Sequence, residues 1–240
     1  MDEPETIALS SPSMAESVPM NPPDTFAAST IGRKVVMAIT GLVLFGFVFV
    51  HMLGNLQMFL PDHEAINHYG RFLREFLHGG GIWVARAVLL ASVGLHIGAA
   101  WSLTRASMKA RPVPYKVVAP DASTYASRTM RWSGPILLLF IVYHLLHYTV
   151  GSVHPHFVEG DVYRNVIVGF SVWPVTLFYI VAMSALGLHL RHGAWSMLQT
   201  LGASHPRWDP ARNAAANVFT VIIVLGFASV PLAVLAGVLK

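Results

Sequence analysis

Five stretches of this sequence stay apolar long enough to cross a lipid bilayer, and no other feature limits the fold so tightly. A hydrocarbon layer about 30 Å thick is crossed by about 20 helical residues. Residues 35–60, 82–104, 132–153, 165–190 and 213–239 all meet that length. Four of these stretches contain no Lys, Arg, Asp or Glu, and the second carries only Arg86, about one turn inside its end, where a long side chain reaches the interface. The expected fold is all-α, an integral membrane bundle of five transmembrane helices. Composition agrees, since a chain that is 54% hydrophobic and 12% charged is far from the balance of a soluble domain.

Pro, Gly and charged residues gather between the spans, at 61–81, 105–131, 154–164 and 191–212, and none of these loops is long enough for a separate soluble domain. Residues 1–30 are rich in Pro, Ser, Met and acidic residues, contain no basic residue and lack the apolar core of a signal peptide. They read as a disordered cytoplasmic tail, with residues 31–240 as the membrane domain. The formal charge of +4 does not point to nucleic acid, because the basic residues lie in short loops where they report orientation. Arg33, Lys34, Arg105, Lys109, Arg111, Lys116, Arg128, Arg131, Arg191, Arg207 and Arg212 fall on one side, against Arg71, Arg74, Arg164 and Lys240 on the other. The positive-inside bias then puts the amino terminus in the cytoplasm and the carboxy terminus outside.

The chain has no cysteine, which excludes disulfides, thiolate zinc sites, cysteine-held iron–sulfur clusters, covalently attached haem and thiol catalysis. Histidine is the remaining ligand supply. His51, His96, His144 with His147, and His189 lie well inside the first four spans, and the fifth span has none. A single membrane histidine serves as readily as a hydrogen-bond partner for a neighbouring helix. Four consecutive spans with at least one each make a pattern.

Depth sorts them. Each histidine lies about two-thirds of the way along its helix, and successive helices run in opposite directions. His51 and His144 therefore come near the outer face and His96 and His189 near the cytoplasmic face, two levels about 10 Å apart at 1.5 Å per residue. Two imidazoles per level suit two six-coordinate, non-covalent b-type haems whose closed axial positions favour electron transfer over oxygen chemistry. Glycines near the ligands, Gly54 after His51, Gly94 and Gly98 around His96, and Gly187 before His189, are read as thin helix surface for a flat macrocycle or as plain helix packing. His144/His147 and His189/His192 are spaced three apart, so each couple shares a helix face and only one member serves a given iron. Depth slightly favours His144, and His192 sits beside Arg191 at the rim. His154, His156 and His205 lie in loops and are expected to be solvated.

The segment IGRKVVMAITGLVLFGFVFVHMLGN followed by INHYGRFLRE, the segment RWSGPILLLFIVYHLLHY, and GLHLRHGAWSMLQTLG resemble the first, third and fourth helices of a known family. It is the five-helix, two-haem cytochrome b subunit that anchors prokaryotic succinate dehydrogenase and fumarate reductase, complex II, to the cytoplasmic membrane. The resemblance covers about residues 31–240. It implies His51 and His144 as ligands of an outer haem and His96 and His189 of an inner one. It also implies a flavoprotein subunit and an iron–sulfur subunit docked on the cytoplasmic face, and electron exchange with a membrane quinone, commonly menaquinone. The chain itself would carry no dehydrogenase site and no catalytic residue, acting as the quinone-reactive subunit of that enzyme.

Quinone chemistry moves two electrons and two protons, so a pocket near the outer haem needs protonatable groups close to water. The first outer loop offers Asp62, Glu64, Asn67, His68, Tyr69 and Arg71, although the stretch NHYGRFLRE reads equally as an amphipathic interfacial segment. Arg86, the outer-loop arginines and His147 are candidate partners for outer-haem propionates, with Arg191 and His192 for the inner one. Two rival readings use the same residues: another dihaem membrane cytochrome without soluble partners, and a transporter whose histidines relay protons. A metallohydrolase is disfavoured by the lack of HExxH or a similar carboxylate–histidine cluster.

Overall fold

The computed structural model describes residues 26, 29–110, 125–203 and 205–240. Residues 1–25, 27 and 28 of the expected tail, and Arg111 and Lys116 of the second basic loop, lie outside the described residues, while Ser29 and Thr30, placed in the tail by sequence, begin α1. The chain forms α1 (Thr30–Asn55, continued by a 3-10 turn Leu56–Phe59), α2 (Ala65–Glu75) and α3 (Gly80–Lys109). It then forms α4 (Tyr125–Leu145, continued by a π turn Leu146–Val150), α5 (Val162–Phe170), α6 (Trp173–Thr200) and α7 (Asp209–Leu235). Five of these are long and apolar enough to span a membrane: Thr30–Phe59, Gly80–Lys109, Thr129–Val150, Trp173–Thr200 and Asp209–Leu235.

The helix starts follow local chemistry. Ser29 caps α1, its Oγ accepting from Gly32 N–H at 2.9 Å, and Asp161 caps α5 by accepting from Arg164 N–H at 3.0 Å, which satisfies donors that a first turn leaves free. The fourth apolar stretch, expected as one span over 165–190, is in fact two helices. It breaks at Ser171–Val172, and Pro174 opens α6, because proline lacks the N–H that would continue α5 but suits a first helical turn. The loop expected over 61–81 holds α2, the amphipathic alternative for that stretch. Gly151 ends the π turn with φ +80°, and a Cβ there would meet the Phe157 ring, so only glycine fits the turn.

Two helix pairs make the bundle. α1 packs along α3, α4 packs along α6, and α1 meets α6 to join the pairs, while α7 lies against both α6 and α1. Among the described residues α3 and α4, consecutive in the chain, share no extensive contact. Packing supplies the cohesion, since apolar side chains gain little by leaving lipid for protein. Met52, Leu190 and Ile223 are buried among Phe45, Phe49, Phe219 and Phe227, with Phe45 and Phe219 stacked at 4.3 Å. At the end that carries α2 and α5, Met58, Ile66, Phe170, Tyr179, Val230 and Val234 form a second buried cluster. Trp83, Trp101, Trp132, Trp173 and Trp208 are exposed toward the ends of the spans, where tryptophan anchors at headgroups.

Candidate functional site: two histidine pairs in the bundle

Four half-buried histidines inside the spans meet in two couples. His51 of α1 and His144 of α4 have ring centres 5.8 Å apart, nearly perpendicular at 80°. His96 of α3 and His189 of α6 have ring centres 6.2 Å apart at 56°. An iron atom bonded to two imidazoles at about 2 Å holds the ring centres about 6 Å apart, so both couples have the separation of axial ligands on one metal. Among the described residues no three His, Asp or Glu side chains gather as a site for a bare ion. The arrangement is one of pairs, as a macrocycle that supplies four nitrogens itself requires.

The hydrogen bonds of these rings leave the correct nitrogen free. Thr40 Oγ1 donates to the Val36 carbonyl at 2.7 Å and lies 3.2 Å from His96 Nδ1, while the Met37 carbonyl lies 3.2 Å from the same nitrogen. Both oxygens accept from an Nδ1–H. Ser133 Oγ donates to the Met130 carbonyl at 3.4 Å and accepts from His189 Nδ1 at 3.3 Å. His144 Nδ1 is 3.3 Å from the Tyr179 hydroxyl. A proton held on Nδ1 leaves the Nε2 lone pair available, the usual outer-shell arrangement of a metal-bound histidine. Phenylalanine shields the other couple: Phe47 stacks on His51 at 5.3 Å and Phe140 on His144 at 5.7 Å.

These supporting residues were not anticipated, yet the sequence carries a signal for them. Seven positions of the first helix pair have the same or a like residue 93 positions later: 37 to 130 (Met), 40 to 133 (Thr, Ser), 41 to 134 (Gly), 47 to 140 (Phe), 51 to 144 (His), 94 to 187 (Gly) and 96 to 189 (His). The segments GLHI at 94–97 and GLHL at 187–190 align without a gap. The pairs α1/α3 and α4/α6 thus correspond at this spacing, and each histidine couple takes one histidine from each pair.

Other expectations change. Gly54 accepts the Tyr69 ring and Gly187 accepts Val224 and Thr220 of α7, so both pack protein. Gly94 and Gly98 face open space on the side away from His96, because two residues turn a helix by about 200°. Gly41 of α1 is the glycine that meets one of the paired histidines: a Cβ there would lie 3.4 Å from His96 Cε1. His154, expected to be solvated, is 8% exposed, with Nε2 donating to the Asn165 carbonyl at 2.9 Å. Arg191 donates to Asn217 Oδ1 at 2.7 Å, and Arg86 lies over the Trp83 ring at 4.8 Å. His192 is half-buried on α6, one turn beyond His189.

Of the outer-loop candidates, Glu64 and Arg71 line a hollow of about 350 Å³ with Asn67, Glu159, Gly160 and Asp161. Asp62 accepts from Glu64 N–H at 3.0 Å, and Arg71 meets His68 Nδ1 at 3.0 Å. Tyr69 turns inward onto Gly54. Buried Asn67 donates to Asp161 at 3.3 Å and accepts from Tyr163 N–H at 3.0 Å, tying α2 to α5. His147 is 1% exposed, with Nδ1 3.1 Å from the Tyr179 hydroxyl.

The family model for the succinate dehydrogenase/fumarate reductase transmembrane subunit matches residues 110–229. The chain belongs to that family. The match takes in the second helix pair and most of α7. No curated protein and no solved structure gives a match. The transmembrane subunit is thus a multi-pass membrane component of the complex II oxidoreductase.

Proposed function

We propose that this transmembrane subunit is the dihaem cytochrome b of its complex, with an outer haem b between His51 and His144 and an inner one between His96 and His189. It passes electrons between the iron–sulfur subunit and a membrane quinone, menaquinone being the leading candidate. The observation that carries the reading is the pair of ring separations, 5.8 Å and 6.2 Å, at two levels of one bundle. The amino terminus is cytoplasmic by the positive-inside bias, so α2 and α5 cap the outer face. The basic inner loops are the docking surface for the iron–sulfur and flavoprotein subunits in a bacterial cytoplasmic membrane.

When bound, haem would supply a one-electron iron couple, held by His51 and His144 at one level and by His96 and His189 at the other. The chain's own residues do the rest. Thr40, Met37 and Ser133 hold the inner imidazoles by Nδ1, and Phe47 and Phe140 keep water from the outer ones. Glu64 in the outer hollow and His68, which meets Arg71, are groups through which protons exchange with water as quinone is reduced or oxidised, and Arg71 supplies a fixed positive charge there. A redox-difference spectrum of the purified complex with haem quantification is expected to give a b-type alpha band and two haems per chain. A purified complex without that band overturns the reading.

Outer-shell partners of metal-bound histidines typically govern affinity by 10–100-fold. Ser133→Ala removes the hydroxyl that holds His189, and is expected to weaken inner-haem retention about tenfold. Thr40→Val leaves the Met37 carbonyl on His96 and is expected to cost less. Haem titration into the apo-subunit ranks the two, and equal losses would count against this account of how the rings are held.

A further inference from the structure

The two helix pairs match closely where they hold ligands and differ sharply around His144. Tyr143, His147, Tyr148 and Tyr179 stand where the first pair has Val50, Gly54, Asn55 and Arg86, each 93 positions earlier (50 to 143, 54 to 147, 55 to 148, 86 to 179). Holding an imidazole does not require this cluster, since the first pair presents His51 without it. Polar groups buried in a bundle are costly unless paired, so a one-sided cluster of them needs its own explanation.

Its centre is one hydroxyl. Tyr179 Oη lies 3.3 Å from His144 Nδ1 and 3.1 Å from His147 Nδ1. If His144 gives Nε2 to iron, its proton is on Nδ1 and Tyr179 Oη accepts it. The tyrosine proton is then free to go only one way, to the Nδ1 lone pair of His147. That ring is held in place: Tyr143 stacks on it at 5.4 Å and His154 at 4.9 Å. His154 is itself fixed, Nε2 donating to the Asn165 carbonyl at 2.9 Å and Nδ1 accepting from His156 N–H at 3.2 Å. The π turn that carries His147 is a departure from regular helix often found at functional sites.

We propose that Tyr179 is a positioning residue for the outer haem, and that His147 acts on that haem through it in the chain His144 Nδ1–H to Tyr179 Oη–H to His147 Nδ1. The inference rests on His144 being an outer-haem ligand. An acceptor on Nδ1 makes the imidazole a stronger electron donor and favours ferric iron. A hydroxyl that donates onward is a better acceptor than an isolated one, so His147 strengthens the effect. His51 has no counterpart to this chain, and the two ligands of the outer iron are therefore unequal.

The test is redox titration and low-temperature electron paramagnetic resonance of the whole complex. Tyr179→Phe is expected to keep two haems, raise the outer potential by about tenfold in the ferric-to-ferrous ratio, 59 mV for one electron, shift the outer low-spin signal and leave the inner haem unchanged. His147→Leu should move the outer haem the same way by less, and His147→Asn, which keeps an acceptor near the Nδ1 position, should restore it. In the Tyr179→Phe background, His147→Leu should add nothing. An unchanged outer potential in Tyr179→Phe, or a His147→Leu shift that persists without the hydroxyl, overturns the proposal while two wild-type haems leave the dihaem reading standing. A wild-type complex with no haem overturns both. If Tyr179→Phe does not assemble, the contrast between His147→Leu and His147→Asn decides alone, with equal shifts counting against it.

Discussion

Alanine at His51 or at His144 is expected to remove one haem and leave the other, and alanine at His96 or His189 is expected to do the converse. The effect is large because each iron depends on two protein bonds, and losing one opens an axial position that the apolar surroundings of Phe47, Phe140 and Phe227 fill poorly. The protein itself should tolerate the change, since a smaller apolar side chain leaves no unpaired polar group in the bundle. Pairing makes sharper demands than loss alone. The two variants at the outer level should give the same residual spectrum and potential, the two at the inner level the complementary ones. The double variant His51→Ala with His144→Ala should lose no more than either single one, whereas His51→Ala with His96→Ala should lose both haems. Equal loss of both haems from every single variant would undo the pairing that the 5.8 Å and 6.2 Å separations support.

Much of this architecture is legible in the chain because lipid imposes a simple grammar. Length and apolarity locate the spans, and alternating direction sorts four histidines into two levels before any coordinate is known. What escapes such reading depends on register around a helix or on contacts far along the chain. Ser171–Val172 lies inside an unbroken apolar run, so hydropathy passes over the end of α5, while Pro174 marks it. Gly94 and Gly98 flank His96 in sequence but face away from it, since each residue turns a helix by about 100°. His154 looks like a loop residue until the Asn165 carbonyl, eleven positions later, is brought to it. Thr40 and Ser133 are invisible as isolated hydroxyls and plain once the two halves are set 93 positions apart. That comparison is also what separates the shared ligand frame from the tyrosines and His147 of the second pair.

The same spacing yields a second test of large effect, because Gly94 and Gly187 are counterparts (94 to 187) with opposite surroundings. A Cβ at Gly187 would lie 2.8 Å from Val224 Cγ2 and 3.5 Å from Thr220 Cγ2, whereas one at Gly94 would meet nothing within 4 Å. Gly187→Leu must force α6 and α7 apart, and overpacking of this kind typically costs about 1–3 kcal/mol. The displaced backbone is two residues from His189, so the strain reaches the inner imidazole directly. Heating this variant is expected to release the inner haem well below the wild-type temperature, with the outer haem following later. Gly94→Leu replaces a poor helix former by a good one, worth up to about 1 kcal/mol, in a place where a Cβ meets nothing within 4 Å. It should hold both haems as the wild type does. Should Gly94→Leu shed the inner haem as readily as Gly187→Leu, the macrocycle would have to lie over Gly94, on the face of α3 opposite to the one that His96 presents to His189.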